Sequence, residues 1–182
     1  LAENFRDRVN KIPGFYCFGK EVLDGKGRYS FDPTKVTVTA KALGLHGWEL
    51  DTLLIEKYNI QVELSDFYNV LFIVTYGDRE KDIDKVIEAL EDISKTYFDS
   101  SNLGKEFKDM PEIPEMVQIP RESFFSKKTK KSIDECVNEI SGEFIFAYPP
   151  GIPVLVPGER ITEEMLHYIF ELRDSGLSVQ GM

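Results

Sequence analysis

The segment AYPPGIPVLVPGERIT, Ala147 to Thr162, limits what this chain can fold into more than any other stretch. Four prolines and two glycines fall in the twelve residues from Tyr148 to Glu159. Proline has a fixed φ and no N–H, so this stretch is neither regular helix nor central strand. It predicts a stiff loop whose backbone angles are set before any ligand arrives. Glu143 and Glu159 flank it, and Tyr148 opens it, which makes it a candidate pocket wall presenting carboxylates to a cation. The alternative is that the prolines only steer the chain between strands. On the residues alone both readings stand.

Periodicity organises the rest of the chain. Residues 1–12 read as the tail of a helix ended by Pro13 and Gly14, and Phe15–Phe18 as a short strand. DGKGR, from Asp24 to Arg28, is turn-like, and KVTVTA at 35–40 alternates in β-branched residues as a half-buried strand does. Trp48, Leu50, Leu53, Leu54 and Tyr58 then recur at helical spacing. IQVEL at 60–64 and NVLFIVTYG at 69–77 read as two further strands, the second apolar enough to be buried on both faces. Residues 79–97 form an amphipathic helix whose inward face is Ile83, Val86, Ile87, Leu90 and Ile93. The order from 35 to 97 is β-α-β-β-α, which predicts an α+β unit with a mainly antiparallel sheet.

The expected division is a small subdomain at 1–100, a linker at 101–114 and a second α/β domain at 115–182. In the latter, EMVQIP reads as a short strand and SIDECVNEI as a short helix with Ser132 as its cap. Thr162 is expected to cap a final helix facing inward through Met165, Ile169 and Leu172. The opening LAENFRDRVNK, starting on Leu1, suggests a chain that begins inside a larger protein.

Composition narrows the function classes. With 42% hydrophobic residues, 13 Phe and 8 Tyr among 182, the chain is too apolar for disorder. Its 22 basic against 32 acidic residues, net charge -10, lack the basic footprint of a nucleic-acid or anionic-membrane binder. No apolar run reaches membrane-span length and no signal-peptide pattern opens the chain, so a cytoplasmic location is expected. Cys17 and Cys136 form no Cys-x-x-Cys pair and read as ordinary small residues.

The usual catalytic constellations are missing from the sequence. His46, between Gly44 and Gly47 before a helix, has the position of a phosphate contact or general acid, but equally that of a turn residue. His167 has no metal-ligand partner at useful spacing. Glu91 and Asp92 are adjacent and splay around their helix. Lys127, Lys128, Lys130 and Lys131 read as a solvated turn. No nucleophile, Walker or dinucleotide fingerprint occurs.

GEFIFAYPPGIPVLVPGERIT closely resembles the C-terminal signature of the Orn/Lys/Arg decarboxylases of the aspartate-aminotransferase fold. DPTKVTVTAKALGLHGWELDTLLIEKYNIQVELSDFYNVLFIVTYGD is similar to their small subdomain, so the resemblance covers nearly the whole chain. It implies a pyridoxal-phosphate-dependent decarboxylase of arginine, lysine or ornithine, serving polyamine biosynthesis as a homo-oligomer. It also implies a missing N-terminal large domain that holds the cofactor, since the family's Schiff-base His-Lys dipeptide does not occur here. No covalently bound cofactor and no catalytic residue are therefore expected in this chain, which alone is expected to be inactive. Tyr148, Pro149, Pro150, Gly151, Pro153, Pro157, Gly158 and Glu159 match the signature, and Glu143 lies just before it. In such an enzyme the acidic, rigid loop is expected to bind substrate, Glu143 or Glu159 stabilising its cationic end and Tyr148 forming a wall of the active-site entrance; the alternative is that the loop only pins the C-terminal domain to the small subdomain. The competing reading is a stand-alone small-molecule-binding or regulatory module; exposed apolar surface left by an absent partner domain separates the two.

Overall fold

The computed structural model describes residues 1–25, 27–99, 111–148 and 150–181. Lys26 of the DGKGR turn, residues 101–110 of the expected linker and Pro149 of the signature lie outside the described residues. The chain divides into two compact units, Leu1–Glu106 and Phe107–Met182.

The first unit is a four-stranded antiparallel sheet with three helices. Its elements are α1 (Ala2–Val9), β1 (Tyr16–Cys17), β2 (Lys35–Thr39), α2 (Gly47–Tyr58), β3 (Leu64–Ser65), β4 (Asn69–Ile73) and α3 (Glu80–Tyr97), in sheet order β1-β2-β4-β3. The register pairs Val36 with Phe72 and Val38 with Val70, so the alternation in KVTVT places all four side chains on one buried face. Phe5, Val9, Leu50, Leu54, Ile83, Ile87, Leu90 and Ile93 from the helices close over it. Each such side chain stabilises by roughly 1.5–3 kcal/mol on burial.

Two expectations are corrected here. The strand β4 is not buried on both faces: Val70 and Phe72 are covered, whereas Leu71 is half-buried and Ile73 is exposed. The run at 60–64 gives only the two-residue β3. Asn59 ends α2 in the left-handed conformation, the Ile60 N–H donates back to Leu54 O at 2.9 Å, and sheet pairing begins with Glu63 N–H to Leu71 O.

The start of α2 depends on a missing side chain. A Cβ on Gly47 would lie 2.3 Å from the backbone oxygens of both Asp66 and Asn69. Asp66 itself accepts from the backbone N–H groups of Tyr68 and Asn69, so that turn is held firmly against the helix. His46 precedes it, its N–H bonded to Glu49 Oε2 at 2.8 Å and its ring stacked on Trp48 at 4.1 Å. Phe67 meets that ring edge-on.

The second unit contains α4 (Pro120–Phe125), β5 (Ile145–Tyr148), β6 (Pro153–Leu155), α5 (Glu163–Asp174) and β7 (Ser178–Gln180), with antiparallel sheet order β6-β5-β7. Ile145, Leu155, Ile161, Met165, Leu166 and Ile169 form its core. Thr162 caps α5 as its sequence suggests, accepting from the Met165 N–H at 3.1 Å. The expected strand EMVQIP is reduced to one bridge, Met116 with Glu159, because Pro120 starts α4. SIDECVNEI forms only a 3-10 turn, Ile133–Glu135, and the Ser132 side chain makes no cap bond. Asn138 adopts a positive φ and its N–H is taken by Ile161 O, which diverts the chain out of helix.

On the first unit, Asp92 of α3 accepts from Lys57 Nζ at 2.8 Å and from the Tyr58 hydroxyl at 2.5 Å, tying α3 to the end of α2. Those two bonds hold the Asp92 carboxyl below its ordinary value. A depressed folded-state pKa contributes stability above the unfolded pKa, about 3.9, and loses it as pH falls through the folded one. Asp92→Asn is therefore expected to lose less stability than wild type between about pH 5 and 2 in denaturant titrations; parallel losses refute the link. Gly47→Ala is expected to cost about 1–3 kcal/mol in the same assay, since backbone atoms block the new methyl. Gly77→Ala, whose methyl would meet nothing closer than 3.5 Å, serves as its control.

Candidate functional site

The proline segment forms a hairpin followed by a tight turn. Strands β5 and β6 pair antiparallel, and the chain reverses through Gly151 at φ 86, whose N–H donates to Ala147 O at 2.9 Å. Pro153 stands on the edge strand, the one place in a sheet where a residue without N–H leaves the ladder intact. Beyond β6, Pro157 is fully buried. Gly158 follows at φ 97, and a Cβ there would lie 2.1 Å from Gln118 O. Only glycine fits that approach.

Two neighbouring segments clamp this turn through the backbone. Gly158 O accepts from the N–H groups of Val117 and Gln118 at 2.9 and 3.1 Å, and Gly158 N–H donates to Ser141 O at 2.8 Å. Ser141 N–H reaches Glu159 O, and Arg160 N–H reaches Glu115 O. The Ser123 hydroxyl adds a second donor to Ser141 O at 2.7 Å. The loop is thus rigid through hydrogen bonding as well as through proline.

The three candidate site residues do not converge. Glu159 is only 6% exposed, and its Oε2 accepts from the Val156 N–H at 2.8 Å, closing the turn from inside. Tyr148 stands at the far end of β5 with its side chain 63% exposed. Glu143 precedes β5 and faces solvent, roughly 16 Å from Tyr148 along an extended chain. Its Oε1 accepts from Lys128 Nζ at 2.8 Å, and Lys128 also lies 4.4 Å from the centre of the Phe124 ring. Lys128 and Phe124 are neighbours of the site that sequence reasoning misses, because fifteen or more residues separate them from Glu143 and no local pattern marks the pair.

The other candidates have settled structural surroundings. His46 belongs to the ring cluster at the start of α2, and His167 is exposed on α5. Cys17 is fully buried, and burial pushes its thiol up to about 11, which leaves it inert. Cys136 is half-buried in the second unit. Among the described residues no group of three or more His, Cys, Asp or Glu side chains is placed to hold a metal ion, and no helix is long and apolar enough to cross a membrane.

Residues 102–181 match the family model described as Orn/Lys/Arg decarboxylase, C-terminal domain. That stretch carries the C-terminal domain of the Orn/Lys/Arg decarboxylase family. Over all 182 residues it is 44% identical to an arginine decarboxylase of Bacillus subtilis (strain 168), and 41% identical to an arginine decarboxylase of Bacillus anthracis. It spans 37% of the length of each of these relatives. The crystal structure of a lysine decarboxylase from Francisella novicida aligns with 99% of the chain at a TM-score of 0.68, covering 37% of that protein. At 19% identity this likeness speaks for the fold alone.

Within this decarboxylase C-terminal domain the geometry separates the two glutamates. Glu159→Ala removes a buried carboxylate, leaves the half-buried Val156 N–H without its acceptor and is expected to cost about 1–3 kcal/mol, whereas Glu143→Gln on the surface is expected to change stability by less than about 0.5 kcal/mol. Thermal and denaturant unfolding of both variants checks this. Equal losses refute the division between an inward and an outward carboxylate.

Proposed function

We propose that this chain is the C-terminal region of a decarboxylase of basic amino acids, with arginine its first substrate candidate. The observation that carries this is the match to arginine decarboxylases over the whole chain at 41–44% identity. In this reading the chain supports the substrate entrance and subunit assembly of a homo-oligomer, and chemistry is done by residues beyond it. The segment from 113 to 125 favours an assembly role, since Ile113, Met116, Val117, Ile119, Phe124 and Phe125 all have exposed side chains there. Exposed apolar side chains at such density suit an interface better than a solvated surface.

Pyridoxal phosphate is the cofactor implied for the complete enzyme. It needs a lysine amine that gives up its proton readily to form an imine. Where lysine titration is shifted here the direction is opposite: hydrogen bonds donated by Lys57 to Asp92 and by Lys131 to Glu139 hold both ammonium groups protonated. Lys57 and Lys131, held protonated in this way, do not fit covalent attachment of the cofactor.

Glu143 and Tyr148 remain the exposed groups offered to a cationic substrate, with Glu159 acting indirectly by holding the loop. In the complete enzyme, charge-neutral Glu143→Gln combined with Glu159→Gln is expected to raise KM for the basic amino acid about two- to fivefold, the range of an exposed ion pair, with kcat nearly unchanged. Carbon dioxide release from arginine, lysine and ornithine measures this. A KM that stays at the wild-type value for all three rejects the entrance role.

A further inference from the structure

The stretch from Ser126 to Ser132 leaves α4 without regular structure and carries Lys127, Lys128, Lys130 and Lys131. Two of these are tied down rather than solvated: Lys131 pairs with Glu139, and Lys128 with Glu143. Lys128 sits in a formed slot. Its ammonium lies 2.8 Å from Glu143 Oε1 and 4.4 Å from the Phe124 ring centre. Its methylenes lie on Gly142, where a Cβ would come within 3.1 Å of Lys128 Cδ and 3.2 Å of Cγ. The Lys128 side chain is left 33% exposed, against 61% for that of Glu143.

A carboxylate opposite an aromatic face is the recognition set for a primary ammonium, one supplying a charge-assisted hydrogen bond and the other its π-cloud. The bare Cα of Gly142 gives the aliphatic chain its floor. The slot is thus the mould of a four-carbon alkylammonium, filled from within the same chain.

The geometry points to Gly142, Glu143 and Phe124 as a binding subsite for a linear aliphatic amine, closed at rest by Lys128 as an occupant in cis. This deepens the reading of Glu143 as a cation acceptor, on which it rests, by adding the slot's wall and floor and a built-in competitor. A linear amine enters only when Lys128 swings out, so apparent affinity is the intrinsic affinity reduced by the fraction of molecules with an open slot.

The test titrates n-butylammonium into the 182-residue chain, following the Gly142 amide and Phe124 ring resonances, with thermal midpoints confirming that each variant is folded. An exposed ion pair keeps Lys128 seated in roughly 60–85% of molecules. Lys128→Ala is therefore expected to bind the probe about two- to sixfold more tightly than wild type. Adding Glu143→Gln is expected to abolish that gain, and tert-butylammonium, which has the charge without the linear stem, is expected to show none. The triple variant Lys127→Ala, Lys128→Ala, Lys130→Ala removes neighbouring ammonium groups able to refill the slot. Wild-type affinity in both the single and the triple variant overturns the subsite, as does a gain that survives Glu143→Gln. A KM response to Glu143 in the complete enzyme without a Lys128 effect here defeats the slot and spares the entrance reading; the reverse pattern spares the slot and defeats the entrance.

Discussion

The first unit is organised by a buried guanidinium. Arg6 on α1 is only 6% exposed, and its three nitrogens donate to three carbonyls: Phe18 O at 3.0 Å, Pro33 O at 3.0 Å and Lys35 O at 2.8 Å. The Phe31 ring lies 5.3 Å from the guanidinium carbon, and among the described residues no carboxylate is bonded to Arg6. Phe18 follows β1 and Lys35 opens β2, so one side chain fixes both ends of the long irregular connection between the two strands. The three bonds are half-buried, and a planar, multi-donor group is what satisfies several carbonyls at once. Asn10 completes the clamp by donating to Cys17 O and accepting from Cys17 N–H at 2.9 and 2.7 Å. The β1–β2 pairing therefore depends on α1, to which the intervening loop also binds it by burying Ile12 and Phe15 in the same core.

That dependence explains which parts of the fold the sequence makes legible. The alternation at 35–39 and the helical stripe at 80–97 are local patterns, and both elements form where the pattern places them. Thr162 is legible for the same reason, since a cap acts within its own first turn. Arg6 is not legible, because on a short amphipathic helix it reads as a solvated charge and nothing nearby marks the carbonyls it meets. β3 and the segment before α4 misread for a related reason: apolar runs suggest strands, yet Asn59 and Pro120 redirect the backbone before a ladder can extend.

The site was legible in composition but not in direction. Prolines, glycines and carboxylates announce a stiff loop, and the hairpin with its clamped turn is stiff. Which carboxylate faces outward is decided by a backbone donor. Val156 N–H is half-buried in the turn and needs an acceptor, so Glu159 is drawn inward to supply it. Glu143 lies outside that constraint and meets a lysine from a distant segment instead. Two glutamates of the same motif thus acquire different roles from one unsatisfied N–H.

The same accounting gives the prolines a meaning beyond stiffness. A buried peptide group must place its N–H, and Pro157 sits fully buried in a turn whose nearby acceptors are already engaged: Ser141 O by Gly158 and Ser123, Gly158 O by Val117 and Gln118. A residue without an N–H removes a donor that burial would otherwise oblige to find a partner. Pro153 on the edge strand does the opposite work, leaving solvent-side pairing open to no further strand. The motif is therefore conditioned by hydrogen-bond demand as much as by chain direction. This is how a loop of twelve residues keeps one shape while Tyr148 stands in solvent at its start.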